Sequence, residues 1–232
     1  PDHDRLGLPA EVRRGGLRQR IASVVKFPGT FVENAPRFHS YRQEVREMTR
    51  FDSCLCFVLK MEGGLSDDPA DSGGRTNLGI TGQTLARARK DGIAKADTVD
   101  GLTREVAAAI YRAYYWNACR CGDLPVPIDL AVFDAAVHMG TGTAAMHLQR
   151  ALNLLGTDSA LAEDGIVGPL TLEAARRLPE KWRLRAARVA LAVRSAALLA
   201  IVSRAPSQRR FLAGWLNRLD RVLERGRREA LS

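Results

Sequence analysis

The clearest periodic pattern in the chain places Phe51, Leu55, Val58 and Leu59 at i, i+4, i+7 and i+8, the apolar stripe of an amphipathic helix. Glu62 closes that helix, because Gly63 and Gly64 follow it and glycine accepts the left-handed turn at a helix C-terminus. Positions 65–80 carry turn chemistry throughout, in Asp67-Asp68-Pro69, Asp71-Ser72-Gly73-Gly74 and Gly79, which excludes a regular helix and leaves tight turns and a short hairpin. Thr81 is the expected N-cap of a helix ending at Gly92, and another starts near Thr103 with Glu105 in its first turn and runs through Ile110 to Tyr115. Beyond it, Leu124-Pro125-Val126-Pro127 reads as a break between subdomains. Two short helices are expected at 133–140 and 144–149, on either side of Gly140-Thr141-Gly142. The glycines of 164–169 permit a tight turn, with Thr171 placed to cap the helix after it. An Arg-studded helix from 180 to about 203 and an apolar run at Phe211-Leu212 and Trp215-Leu216 complete the pattern. The fold class is mainly α, a helical bundle with a turn-rich loop or short hairpin beside it.

At 232 residues and 46% hydrophobic the chain buries a sizeable core. Residues 1–47 show no clean periodicity and no secretory signal, and are expected to be an irregular extension outside the fold. The division expected for the remainder is 48–125, 126–220 and a basic tail at 221–232. The net charge of +9 is uneven: residues 176–232 hold 15 basic and four acidic residues, whereas 48–175 hold 11 basic and 16 acidic. Such a cationic quarter suits an acidic polymer, an anionic envelope surface or nucleic acid, or is simply a solvated helix face; no nucleic-acid fold signature accompanies it. Arg185, Arg188 and Arg194 interrupt the apolar positions of the 180–203 helix, so no membrane span is expected.

Four cysteines fall as Cys54-x-Cys56 and Cys119-x-Cys121. One intervening residue is too short for the usual zinc pairs, and Cys54 belongs with the buried face, so no metal or other cofactor is expected. A disulfide between the pairs stays open, since it depends on the compartment. His138 and His147 lack a carboxylate at metal-ligand spacing and read as satisfied or exposed side chains.

The chemistry concentrates at Glu62. A carboxylate in the last turn of a helix sits beside unpaired carbonyls, and that field together with burial raises its pKa, as a general acid requires. Cleavage of a glycosidic bond needs such an acid and usually a second carboxylate that steadies the transition state or activates water, and Glu62 with Asp71 is the natural pair. The alternative for Asp71 is a brace bonding nearby backbone amides.

Positions 51–81 resemble the start of the glycoside hydrolase family 108 N-acetylmuramidases, bacterial and prophage lysozymes. The resemblance rests on Glu62-Gly63-Gly64 after a short apolar helix, then Asp68-Pro69, Asp71-Ser72-Gly73-Gly74-Arg75-Thr76-Asn77 and Gly79-Ile80-Thr81. It implies a lysozyme-like fold, Glu62 as catalytic acid, and hydrolysis of the β-1,4 bond between N-acetylmuramic acid and N-acetylglucosamine. The interval from Glu62 to Asp71 also matches the Glu-x8-Asp-x5-Thr arrangement of phage-type lysozymes, except that Asn77 stands where threonine is expected. Asn77, Thr81, Tyr115 and Trp116 are the substrate-contact candidates, although Tyr111, Tyr114, Tyr115 and Trp116 at helical spacing read first as core. Leu148-Gln149-Arg150-Ala151-Leu152 and the 164–171 run resemble the predicted peptidoglycan-binding domain that follows the catalytic part in this family, and Gly214-Trp215-Leu216-Asn217-Arg218 its terminal run. The expected partner is therefore the peptidoglycan glycan strand, reached from the cytoplasm by a monomer with the help of a holin or other export factor. A non-catalytic wall-binding or secretion-accessory protein is the competing reading, and a nucleic-acid binder the third.

Overall fold

The computed structural model describes residues 48–62, 76–156 and 160–231, the Glu62 side chain excepted. The expectations for residues 1–47, for the Gly63-Gly64 cap and for Asp67, Asp68 and Asp71 lie outside the described residues.

Helix α1 spans Arg50–Glu62 and buries Phe51, Cys54, Leu55 and Val58, the stripe read from its sequence. Thr49 and Asp52 cap it reciprocally. Asp52 N–H donates to Thr49 Oγ1 at 3.2 Å, and Thr49 N–H donates back to Asp52 Oδ2 at 3.1 Å, so two otherwise unpaired donors are satisfied. A two-stranded antiparallel ribbon follows, β1 (Thr76–Asn77) and β2 (Ile80–Thr81), with Thr76 opposite Thr81 and Asn77 opposite Ile80. Helix α2 is Gly82–Lys90, and α3 is Arg104–Tyr111, capped by the Thr103 hydroxyl, which accepts from Val106 N–H. One turn of π-helix, Arg112–Trp116, carries α3 onward.

Helix α4 (Ile128–Met139) forms the centre of the bundle. Its residues from Ile128 to Ala136 are buried without interruption, and α5 (Thr141–Leu154), α7 (Glu180–Arg204) and α8 (Arg209–Glu229) pack around it. A helix buried on every side has no polar stripe, which is why the sequence pattern finds only its second half. Gly140, at φ +88°, turns the chain directly from α4 into α5. Helix α6 (Pro169–Arg177) takes Gly168 as its cap and Pro169 as its first residue. Thr171 lies inside α6 and is buried, a correction to its expected capping role. Its Oγ1 accepts from Gln149 instead. The fold is thus mainly helical with a small ribbon, as expected, and the described residues form one compact unit.

Two parts of the basic quarter read differently in the structure. Positions 221–229 are not a tail: they continue α8, bury Val222, and bring Gly226 so close to Pro127 that a Cβ there would lie 3.1 Å from the proline Cβ. Arg194 and Arg218 are core residues, both donating to buried Asp134 of α4, at 2.6 and 2.9 Å. By length and hydropathy α7 does meet the requirement for crossing a membrane, despite its arginines. In this fold its inner face, Ala186, Ala190, Leu191, Arg194 and Leu198, is spent on the bundle.

Candidate active site

The site is built around the C-terminal end of α1, whose last residue is Glu62. Three contacts fix that helix. At its start, Arg50 forms a two-pronged pair with Asp129 of α4 at 2.6 and 2.8 Å and also reaches Glu229 of α8. Burial pushes the Glu229 carboxyl upward, but Arg50 and Arg225 outweigh it and hold the group below its ordinary value. In the middle, the Phe51 ring meets Trp116 edge-on at 5.4 Å and Phe133 at 6.0 Å, with the Arg112 guanidinium 3.9 Å from its centroid. Near its end, Arg221 of α8 donates to the Met61 sulfur at 3.6 Å. Along α1, position 62 comes four after buried Val58 and seven after buried Leu55.

The ribbon is the second wall. Leu78 and Gly79 both have positive φ, +52° and +73°, the conformation of a two-residue type I′ hairpin. Leucine there costs about 1 kcal/mol in backbone strain, and the neighbours hold it: Tyr111 Oη donates to Leu78 C=O at 2.9 Å, and Asn77 Nδ2 donates to Val99 C=O at 2.9 Å. Thr81 caps α2, its Oγ1 accepting from Thr84 N–H at 3.1 Å. The ribbon is therefore tied to α3, to the 99–101 turn and to α2.

The substrate-contact candidates separate on these facts. Asn77 and Thr81 sit on the ribbon, and each commits a polar atom to the scaffold. Trp116 is a core ring, 5% exposed, lodged between Phe51 and Phe133. Tyr115 keeps partial exposure beside Tyr111, at 5.5 Å between ring centroids. The Thr49–Asp52 cap and the Arg50–Asp129–Glu229 clamp were missed by sequence reasoning; the first has a readable Thr-x-x-Asp signal, the second has none.

All four cysteines are free, with Cys54, Cys119 and Cys121 buried and Cys56 exposed. Burial pushes the Cys54 and Cys119 thiols up to about 12, and raises Cys121 as well, so these groups stay protonated near neutrality. Among the described residues no three His, Cys, Asp or Glu side chains stand together as a metal site. Neither histidine is satisfied or fully exposed: His138 Nδ1 and His147 Nδ1 are buried without a hydrogen-bond partner among the described residues. Burial, helped by Arg194 and Arg218, brings His138 down to about 4.

Residues 55–140 match the family model described as glycosyl hydrolase 108, and residues 143–220 match one described as a predicted peptidoglycan domain. The two matches meet between α4 and α5, one helix later than the Leu124–Pro127 break. A solved structure, that of Brucella abortus SagA, is 33% identical with a TM-score of 0.62 and covers 76% of this chain and 92% of its own. No curated protein matches the chain.

Proposed function

We infer that this chain, which belongs to the glycosyl hydrolase 108 family and carries the predicted peptidoglycan domain behind it, is an N-acetylmuramidase with Glu62 as its general acid. The family membership makes it a glycoside hydrolase of the peptidoglycan-degrading type. The bond chosen, β-1,4 between N-acetylmuramic acid and N-acetylglucosamine, and the role of Glu62 are the inference. The observation that carries it is the position of Glu62 as the last residue of a helix anchored at both ends, inside the matched region.

Hydrolysis of a glycosidic bond is limited by departure of a poor alkoxide leaving group, so a proton must reach the bridging oxygen as the bond breaks. A carboxyl at a helix C-terminus meets the negative end of the helix dipole, which favours its protonated form. Asp71 is the second carboxylate, steadying the oxocarbenium-like transition state or activating water, and its separation from Glu62 sets retention or inversion. Tyr115 is the ring best suited to the sugar groove, while Asn77 and Thr81 shape the ribbon wall.

The test is peptidoglycan digestion by wild type and Glu62→Gln, with the new reducing ends converted by borohydride and identified. Reduced muramic acid in the wild-type digest, and none in the variant digest, is the expected result. Reduced glucosamine would overturn the bond assignment, and undiminished release by Glu62→Gln would overturn the acid.

A further inference from the structure

The C-terminal end of α5, the segment at 160–161, α6 and the start of α7 enclose a cavity of about 510 Å³. Its wall is Leu155, Leu161, Ala174, Leu178 and the Trp182 ring, with Arg177 and Lys181 at the edge. That volume is in the range of small-ligand sites. The pocket is preformed. Asn153 Nδ2 donates to Leu161 C=O at 3.0 Å, and Leu161 N–H donates back to Asn153 Oδ1 at 2.8 Å. One helical turn earlier on α5, buried Gln149 Nε2 donates to Asp164 Oδ1 at 2.7 Å and Ile166 C=O at 3.0 Å, while its Oε1 accepts from Gly165 N–H.

Across α6 lies a second depression of about 410 Å³, edged by Arg120 and Arg176 and sharing Glu173 and Arg177 with the first. Asp123 accepts from Arg120 and Arg176, and Glu173 pairs with Arg177 at 2.7 Å. Among the described residues four cations stand against two carboxylates at this pair of depressions, and Lys181 has no ionic partner there. Sugar rings are recognised through dense hydrogen bonding of their hydroxyls to polar side chains, alongside a stacked aromatic ring. Among the described residues none lining the larger cavity is Asn, Gln, Ser or Thr. An aliphatic wall with one aromatic ring and a cationic edge suits small apolar side chains carried on a backbone with free carboxylates.

We propose that this cavity binds the acidic peptide stem of peptidoglycan rather than its sugars, so that the helical domain reads the peptide while the α1 site addresses the glycan. The proposal rests on peptidoglycan being the substrate of the chain. It assigns Trp182 as the apolar contact and Lys181, with Arg177, as the carboxylate contacts.

The experiment is a titration of the full chain followed by the indole N–H resonances of its three tryptophans, the Trp182 signal being assigned from Trp182→Leu. The probes are free stem tetrapeptide, the same peptide with its carboxylates amidated, peptide-stripped glycan strands and a short DNA duplex. Stem peptide is expected to move the Trp182 resonance and leave buried Trp116 in place. Amidation of the peptide, or Lys181→Glu in the protein, is expected to weaken it about tenfold. An unmoved Trp182 signal, equal binding of amidated peptide, or a glycan-strand response at Trp182 would overturn the proposal. A DNA response there as strong as the stem peptide's would mark a general anion surface and overturn it too. Turnover of the stripped strands, read in parallel, keeps the readings apart: binding without turnover sinks the muramidase, and turnover without stem binding sinks the pocket.

Discussion

Replacing Asp134 by alanine removes the carboxylate that Arg194 and Arg218 share at 2.6 and 2.9 Å. The site is deep, with side-chain exposures of 0% for Asp134, 1% for Arg194 and 10% for Arg218, so solvent does little to screen the two guanidinium charges once their common partner is gone. Taking one partner from a buried ion pair costs about 3–5 kcal/mol, and because two cations depend on this carboxylate the upper end, about 5 kcal/mol, is expected. That is a large part of the ~5–15 kcal/mol that separates a typical folded domain from its unfolded state. Arg194→Met takes out one cation and leaves Asp134 paired with Arg218. With methionine filling much of the vacated space, its cost should be only about 1–3 kcal/mol. Urea unfolding at neutral pH, with the slope checked for constancy, measures both. The reasoning is refuted if Asp134→Ala costs less than Arg194→Met, or costs under about 1 kcal/mol. Replacing all three by Leu and Met should return most of the loss, since apolar residues of similar volume substitute well for buried ion pairs.

Glu62→Gln should retain the melting temperature and lose at least ~10²-fold in turnover, the usual scale of general-acid catalysis, as measured by turbidity loss of permeabilised cells. For Asp71→Asn a large fall in turnover with little change in substrate affinity is expected, and a loss of about 1 kcal/mol in stability with turnover intact would make it a loop brace instead. His138 is held down at about 4 in the fold against an ordinary 6.5, so below about 6.5 the unfolded chain takes up the proton first. Stability should therefore fall as the pH drops from about 6.5 towards 4, and His138→Leu should flatten that slope in urea titrations run across the range.

The local features of the fold were legible and the distant ones were not. The α1 stripe, the Thr81 cap, the helix start near Thr103 and a short hairpin in the turn-rich loop are each written within a few neighbouring residues, and the structure has them. For α6 two signals competed, and proline at the first helical position outweighed the threonine two residues on. The α8 stripe of Leu219, Val222, Leu223 and Gly226 stands at 3–4-residue spacing in the sequence, but arginines between its members mask it as a charged run. Partners 60, 79 and 84 residues apart, Arg194 and Asp134, Arg50 and Asp129, Arg218 and Asp134, leave no trace in spacing. A charge announces that it needs a partner and not where that partner is. At the site, residue type and cap chemistry point to Glu62 and Thr81, whereas the difference in burial between Tyr115 and Trp116 is not written in their spacing.

The clamp from Arg50 to Glu229 joins the first turn of α1 to the last turn of α8. On the ribosome α1 emerges well before Glu229, which lies 179 residues further along the chain. The helix that ends in Glu62 is therefore fastened at its base only after α8 has been made, and a product cut short before α8 lacks that fastening.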